Sequence, residues 1–143
     1  MSTTTPSPEQ APAEEKPFDP LDFPQKLRDA QRRAAELYAE IRAAQARLPW
    51  SREPHGGWPE VKERGREREG REPSPGWPAA DAAAYDKLWE ELRELTAYVQ
   101  THGWWKTCRD HGVQGADLVG ARQKLKTAPG AVPLARDDVD TAA

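Results

Sequence analysis

His102, Cys108 and His111 fall within one short stretch, with Asp110 beside them. Neutral imidazole and thiolate are zinc donors, and a thiolate next to an imidazole is the heart of cysteine nucleophilic catalysis. The spacing favours neither chemistry. Zinc motifs bring paired ligands from both halves of the site, and here only Cys108 and His111 are closely spaced. His55, the remaining histidine, would have to swing in from a distant segment. A catalytic thiol also needs a held base and an oxyanion site, and no strand-to-helix elbow or glycine-rich loop accompanies Cys108. A lone cysteine on a helix reads as a core residue. Elsewhere the chain has no phosphate-cradling glycine loop and no carboxylate pair distinguishable from helix-surface acids. The expectation is a non-enzymatic protein with no catalytic residue, no metal, no cofactor and no small-molecule substrate.

The segment 104–126 has a second potential chemistry. Its layout of short helix, Gly112-Val113 break and second helix resembles the DNA-binding helix-turn-helix motif. Gly112 would be the turn glycine and Cys108 the small residue four positions before it. Val113, Leu118 and Ala121 would fill apolar positions. The resemblance implies a recognition helix exposing Gln114, Asp117, Arg122 and Gln123 to bases, with Lys124 and Lys126 for phosphates. Thr107 and His111 depart from the pattern, standing where apolar residues are usual. Gly115 and Gly120 weaken the second helix by about 1 kcal/mol each relative to alanine. A packing corner is the preferred reading and duplex binding the alternative.

Six tryptophans are many for so polar a chain. Trp89 belongs to a helical stripe, whereas Trp50, Trp58 and Trp77 sit in irregular, proline-flanked positions. Aromatic groups so placed either pin a loop or anchor a partner. Trp104 and Trp105 are adjacent, so on a helix one faces the core and the other a loop or a second protein. Trp58, Trp77, Trp104 and Trp105 are the candidate partner-binding residues.

Two amphipathic helices must position these groups. Leu27, Ala30, Ala34, Leu37, Tyr38, Ile41, Ala44 and Leu48 recur at spacings of three and four, predicting a helix over 22–48 with Asp22 as cap and Pro49 as stop. Tyr85, Leu88, Trp89, Leu92, Leu95, Tyr98, Val99 and His102 predict a second over 80–102, ended by Gly103. Such stripes pack antiparallel. Shorter helices are expected at 104–111 and 115–126. Between the long helices, 49–79 carries two Gly-Trp-Pro triplets and a charge-alternating run, Lys62 to Glu72, with no apolar face. It reads as a mobile loop. Residues 1–17 and 128–143 read as disordered tails around a single domain at 18–127. The expected fold is all-α: an antiparallel helical hairpin, a helix-turn-helix-like corner and a long mobile middle loop.

Composition narrows the class further. Hydrophobic residues are 36% and charged residues 31% of 143, and mean hydropathy is −0.95. A core this small supplies only ~3–5 kcal/mol, so a partner chain is expected to complete it. Net charge is −3 overall, but 80–102 carries −3 and 103–127 carries +3. That lacks the broad basic footprint of a dedicated nucleic-acid binder. A single cysteine excludes an intrachain disulfide and fits a reducing, cytoplasmic setting. No apolar run reaches bilayer length, and the first residues lack a secretion signal's apolar stretch. The Ala/Arg/Pro/Gly-rich composition suggests a bacterial source. The leading expectation is a small helical interaction or adaptor protein that binds another protein or itself, with a helix-turn-helix DNA-binding protein as the alternative.

Overall fold

The computed structural model describes residues 16–133, so most of the two expected tails, 1–15 and 134–143, lies outside the described residues. The protein is mostly helical with one small two-stranded sheet. Its elements run α1 (Gln25–Arg47), β1 (Val61–Glu63), β2 (Arg66–Arg68), α2 (Ala79–Thr101), α3 (Gly103–Asp110) and α4 (Ala116–Leu125).

Helix α1 starts later than its sequence suggests. Pro24 occupies the cap position with no side-chain cap, and its carbonyl accepts from the Leu27 and Arg28 N–H groups. A residue before proline is pushed out of helical geometry, so Phe23 cannot join the helix and Asp22 cannot cap it. Asp22 lies instead 4.0 Å from the Arg28 guanidinium. The buried positions of α1 are Leu27, Ala30, Ala34, Leu37, Ile41 and Ala44. Tyr38, though part of the expected stripe, is 47% exposed.

Helix α2 lies alongside α1. Arg33 grips Glu91 with two N–H···O bonds of 2.8 and 3.1 Å. Further along α1, Gln45 donates to the Tyr85 hydroxyl at 2.7 Å. Leu37, Ile41, Ala34 and Leu92 form one buried cluster, flanked by Tyr85, Leu88, Trp89 and Leu95. Gly103 does not end α2; it begins α3. The junction is His102, extended at φ −61°, ψ 141°, whose Nδ1 accepts from the Trp104 N–H at 3.0 Å. A side-chain acceptor at that position satisfies a free helix donor and lets the second helix follow at once.

A second cluster gathers Phe23, Leu27, Trp105, Cys108, Ala121, Leu125, Ala128 and Ala131. Here the tail expected from residue 128 is corrected. Ala128 and Ala131 are buried, and the Pro129 and Gly130 carbonyls accept from Arg28 and Arg32 at 3.2 and 2.8 Å. Both alanines belong to that cluster, and the two guanidinium bonds to the neighbouring carbonyls tie the segment to α1.

The middle segment is also corrected: it carries regular structure where none is expected. Val61, Lys62 and Glu63 pair antiparallel with Arg68, Glu67 and Arg66. The bridges Trp58↔Arg71 and His55↔Ser74 continue in the same register, so one ribbon runs from residue 55 to the Arg64-Gly65 turn and back to 74. Lys62 faces Glu67 and Glu63 faces Arg66, opposite-charge pairs that favour this register. Proline and glycine interrupt the ladder without shifting it. The base is tied to α2 by Arg52, which holds both oxygens of Asp86 at 2.7 and 2.8 Å. The buried Ser74 hydroxyl donates to the Ser51 carbonyl at 2.8 Å.

Candidate functional site: a groove between α1, α2 and α4

The α3–α4 corner sets the position of α4. Gly112 adopts φ +86°, a left-handed turn that alanine would resist by about 1–2 kcal/mol, and the Val113 N–H reaches back to the Cys108 carbonyl at 2.9 Å. Cys108 and Ala121 are buried there, with Val113 and Leu118 packed against them. Helix α4 thus turns Leu118, Ala121 and Leu125 inward. Val119, Arg122, Gln123 and Lys126, one turn apart along the neighbouring stripe, face a groove of about 360 Å³.

The groove lies at the seam of the two core clusters. Its floor is apolar: Ala34 from α1, Val99 from α2 and Trp105 from α3. Trp105 is 1% exposed, and its indole N–H donates to the Val99 carbonyl at 2.6 Å. The Arg122 guanidinium sits over that indole, 4.7 Å from the ring centroid. A cation over an indole face is held by the ring's negative quadrupole. One guanidinium N–H group reaches the Gln100 carbonyl at 3.4 Å. Tyr38 and Val119 stand on the rim, 47% and 54% exposed. Gln31, Gln100 and Gln123 add neutral amides, and among the described residues no carboxylate lines the groove.

Of the residues expected to act, Trp105, Arg122, Gln123 and Lys126 meet in this groove. The others do not. Gln114 and Lys124 are exposed on other surfaces of the corner. Trp58 and Trp77 belong to the ribbon and its base. Their indole N–H groups donate to the Glu69 and Pro49 carbonyls at 2.9 and 2.7 Å. Arg68 and Arg52 lie over their rings. Trp104 packs on Phe18 with ring centroids 5.3 Å apart and donates to the Pro20 carbonyl at 3.1 Å. It therefore covers the chain's own N-terminal approach, neither the 49–79 segment nor an open face. Two groove residues were not among the candidates: Tyr38, read as part of the α1 stripe, and Val119. Val119 could have been found as the apolar residue of α4 lying off its buried stripe.

The histidine–cysteine group is dispersed. Cys108 is wholly buried, and burial pushes its thiol above the ordinary range. His111 stacks on Phe18 at 4.1 Å, with Nδ1 2.9 Å from the Thr107 carbonyl. His102 caps α3, and the His55 Nδ1 accepts from the Gly57 N–H at 2.8 Å. Among the described residues, no three histidine, cysteine or acidic side chains converge as a metal cluster, and no helix is long and apolar enough to cross a membrane.

A family model described as a domain of unknown function (DUF8825) matches residues 26–128. No curated protein and no solved structure matches the chain.

Proposed function

The chain belongs to the DUF8825 family, and we propose that it is a non-enzymatic interaction module that docks another protein in the groove between α1, α2 and α4. The antiparallel hairpin of α1 and α2 is the platform, and α4 is the facing wall. One observation carries the reading. Tyr38 and Val119 are large apolar side chains left in water beside a floor of Trp105 and Val99. Exposed apolar groups on a concave seam are the usual mark of a recognition surface. The dispersal of Cys108, His102 and His111 supports a non-catalytic role, and a single buried thiol suits a reducing cytoplasm.

The experiment is site-specific photo-cross-linking from position 119 in the native host, with position 83 on the exposed side of α2 as control. The reading expects one protein adduct from 119, resistant to nuclease and abolished by Tyr38→Asp. Equal adducts from both positions would sink it.

Duplex binding through residues 104–126 is a second reading, favoured by the glycine corner at Gly112 and the buried Cys108 and Ala121 around it. It is the weaker one because Arg122, Gln123 and Lys126 border a groove walled by α1 and α2, leaving Gln114 and Lys124 on open surface. Salt-sensitive binding to a genomic fragment library, reduced by Arg122→Ala and Lys124→Ala, would promote it over the first.

A further inference from the structure

We infer that the occupant of the groove is an acidic amphipathic helix of a partner protein, an inference that rests on the docking role proposed above. Two independent features select that chemistry. The first is unanswered charge. Arg33 on α1 is answered by Glu36, Glu40 and Glu91. Among the described residues, by contrast, neither Arg122 nor Lys126 has an ion-pair partner, and both line a groove without a carboxylate. Arg122 carries five N–H donors, only one of which has a partner among the described residues, a 3.4 Å bond to the Gln100 carbonyl. The guanidinium carbon lies over Trp105, 4.7 Å from the ring centroid, so the group is held at the groove with donors to spare. A carboxylate, planar and bidentate, matches those donors.

The second feature is shape. The α1 wall runs from Gln31 to Tyr38 and the α4 wall from Val119 to Lys126. Each spans about two helical turns, roughly 10 Å. Between them lies an apolar floor, with Val119 at one end of the α4 wall and Lys126 at the other. A helix entering this space seats an apolar side chain between Tyr38 and Val119. One turn further on, it brings a carboxylate to Arg122 and Lys126. The groove therefore reads both features of the partner: an apolar residue, and an acid three or four positions away.

The test uses the full chain and two alanine-based helical peptides measured by calorimetry. One carries a leucine pair and a glutamate pair one turn apart; the other carries lysine in place of glutamate. The acidic peptide is expected to bind at least about tenfold tighter, and Lys126→Glu to remove about tenfold of its affinity. Val119→Asp should abolish the preference, and Lys87→Glu, on the exposed surface of α2 outside the groove, should leave it intact. Lys126 is exposed, so its substitution spares the fold, and an unchanged thermal midpoint checks this. Equal affinity for both peptides overturns the inference, as does acidic binding that survives Val119→Asp.

Two other occupants would also overturn it. Acidic-peptide affinity that rises when Asp137, Asp138 and Asp140 are changed to asparagine assigns the groove to the chain's own tail. A dimer that Val119→Asp dissolves assigns it to a second copy. If position 119 cross-links a protein but the acidic peptide has no advantage, the docking role stands and only its charge rule fails. If position 119 captures nothing above control, the docking role itself fails.

Discussion

Adjacent glycines at 56 and 57 give a sharp test of the ribbon, because the structure assigns them opposite sensitivities. A Cβ at Gly56 would meet nothing within 4 Å. A Cβ at Gly57 would overlap the Arg71 carbonyl oxygen and come within 2.8 and 2.9 Å of the Glu72 carbonyl group, on a backbone at φ +73°. The left-handed conformation alone costs alanine about 1–2 kcal/mol. The oxygen it strikes accepts the Trp58 N–H at 3.0 Å, and the return bond from Arg71 N–H to Trp58 is 2.8 Å. Losing both removes about 1 kcal/mol each, since these bonds compete with water. Together that is about 3 kcal/mol, or roughly a hundredfold in the closing of the ribbon.

The damage should stay local. Neither core cluster draws a residue from 50–78, and the segment meets α2 at the ribbon's base, where Arg52 holds Asp86 and Trp77 packs on Tyr85. Hydrogen exchange followed by NMR reads the two effects separately. Gly57→Ala should speed exchange at the Trp58 and Arg71 amides about a hundredfold and leave the α1 amides unchanged. Gly56→Ala should do nothing to either. If both substitutions behave alike, or if Gly57→Ala leaves Trp58 and Arg71 protected, the continuous ribbon is wrong.

Leu37 is fully buried beside Leu92, so Leu37→Ala should cost about 2–5 kcal/mol in urea unfolding. A smaller loss would mean that the α1–α2 contact relaxes around the cavity. Cys108 should resist iodoacetamide until the protein unfolds, because it is buried and its thiol is held above its usual range. Since the folded thiol ionises late, its share of stability is present below the ordinary value of about 8.5 and is lost as pH rises past it. Prompt labelling of the native chain would contradict this. Glu91 titrates below its usual range because Arg33 hydrogen-bonds it. Its share of stability is therefore present above about pH 4.3 and is lost as pH falls through the lowered value. Glu91→Gln should flatten that acid limb in a pH series of thermal midpoints, and an unchanged limb would show that the pair adds nothing.

The helices were legible because their signal is hydrophobic periodicity. Every buried residue of α1 belongs to the stripe read from its sequence. The ribbon was not legible that way because its alternation is one of charge. Lys62-Glu63 and Arg66-Glu67-Arg68 flank Arg64-Gly65 so that unlike charges meet across the turn. A search for apolar faces finds nothing in such a strand, although each side chain alternates as a strand requires. Capping failed for a related reason. Asp22 has the right chemistry, but Pro24 sets the geometry two residues later and moves the helix start beyond its reach. At the other end, Ala128 and Ala131 carry too little apolar area to announce a core, yet they join the second cluster, and Arg28 and Arg32 hold the carbonyls between them.

The groove follows from a conflict within α4 that its sequence does contain. Ten residues, with Ala121 and Leu125 fully buried and Leu118 half-buried, can cover only one cluster. That cluster sits at the α3 end of the molecule, while Leu37, Ile41 and Leu92 form another along the α1–α2 contact. Helix α4 is too short to close the seam between them, so its second stripe faces a gap. On a helix that only packed, this stripe would be polar throughout. Here it begins with Val119 and continues through Arg122 to Lys126. Val119 left in water at one end and Lys126, exposed and without an ion-pair partner among the described residues, at the other give no advantage to the isolated fold. Both are explained if the seam is completed by a second chain bearing the complementary pattern, which is why substitutions at Val119 and Lys126 should impair binding before they impair folding.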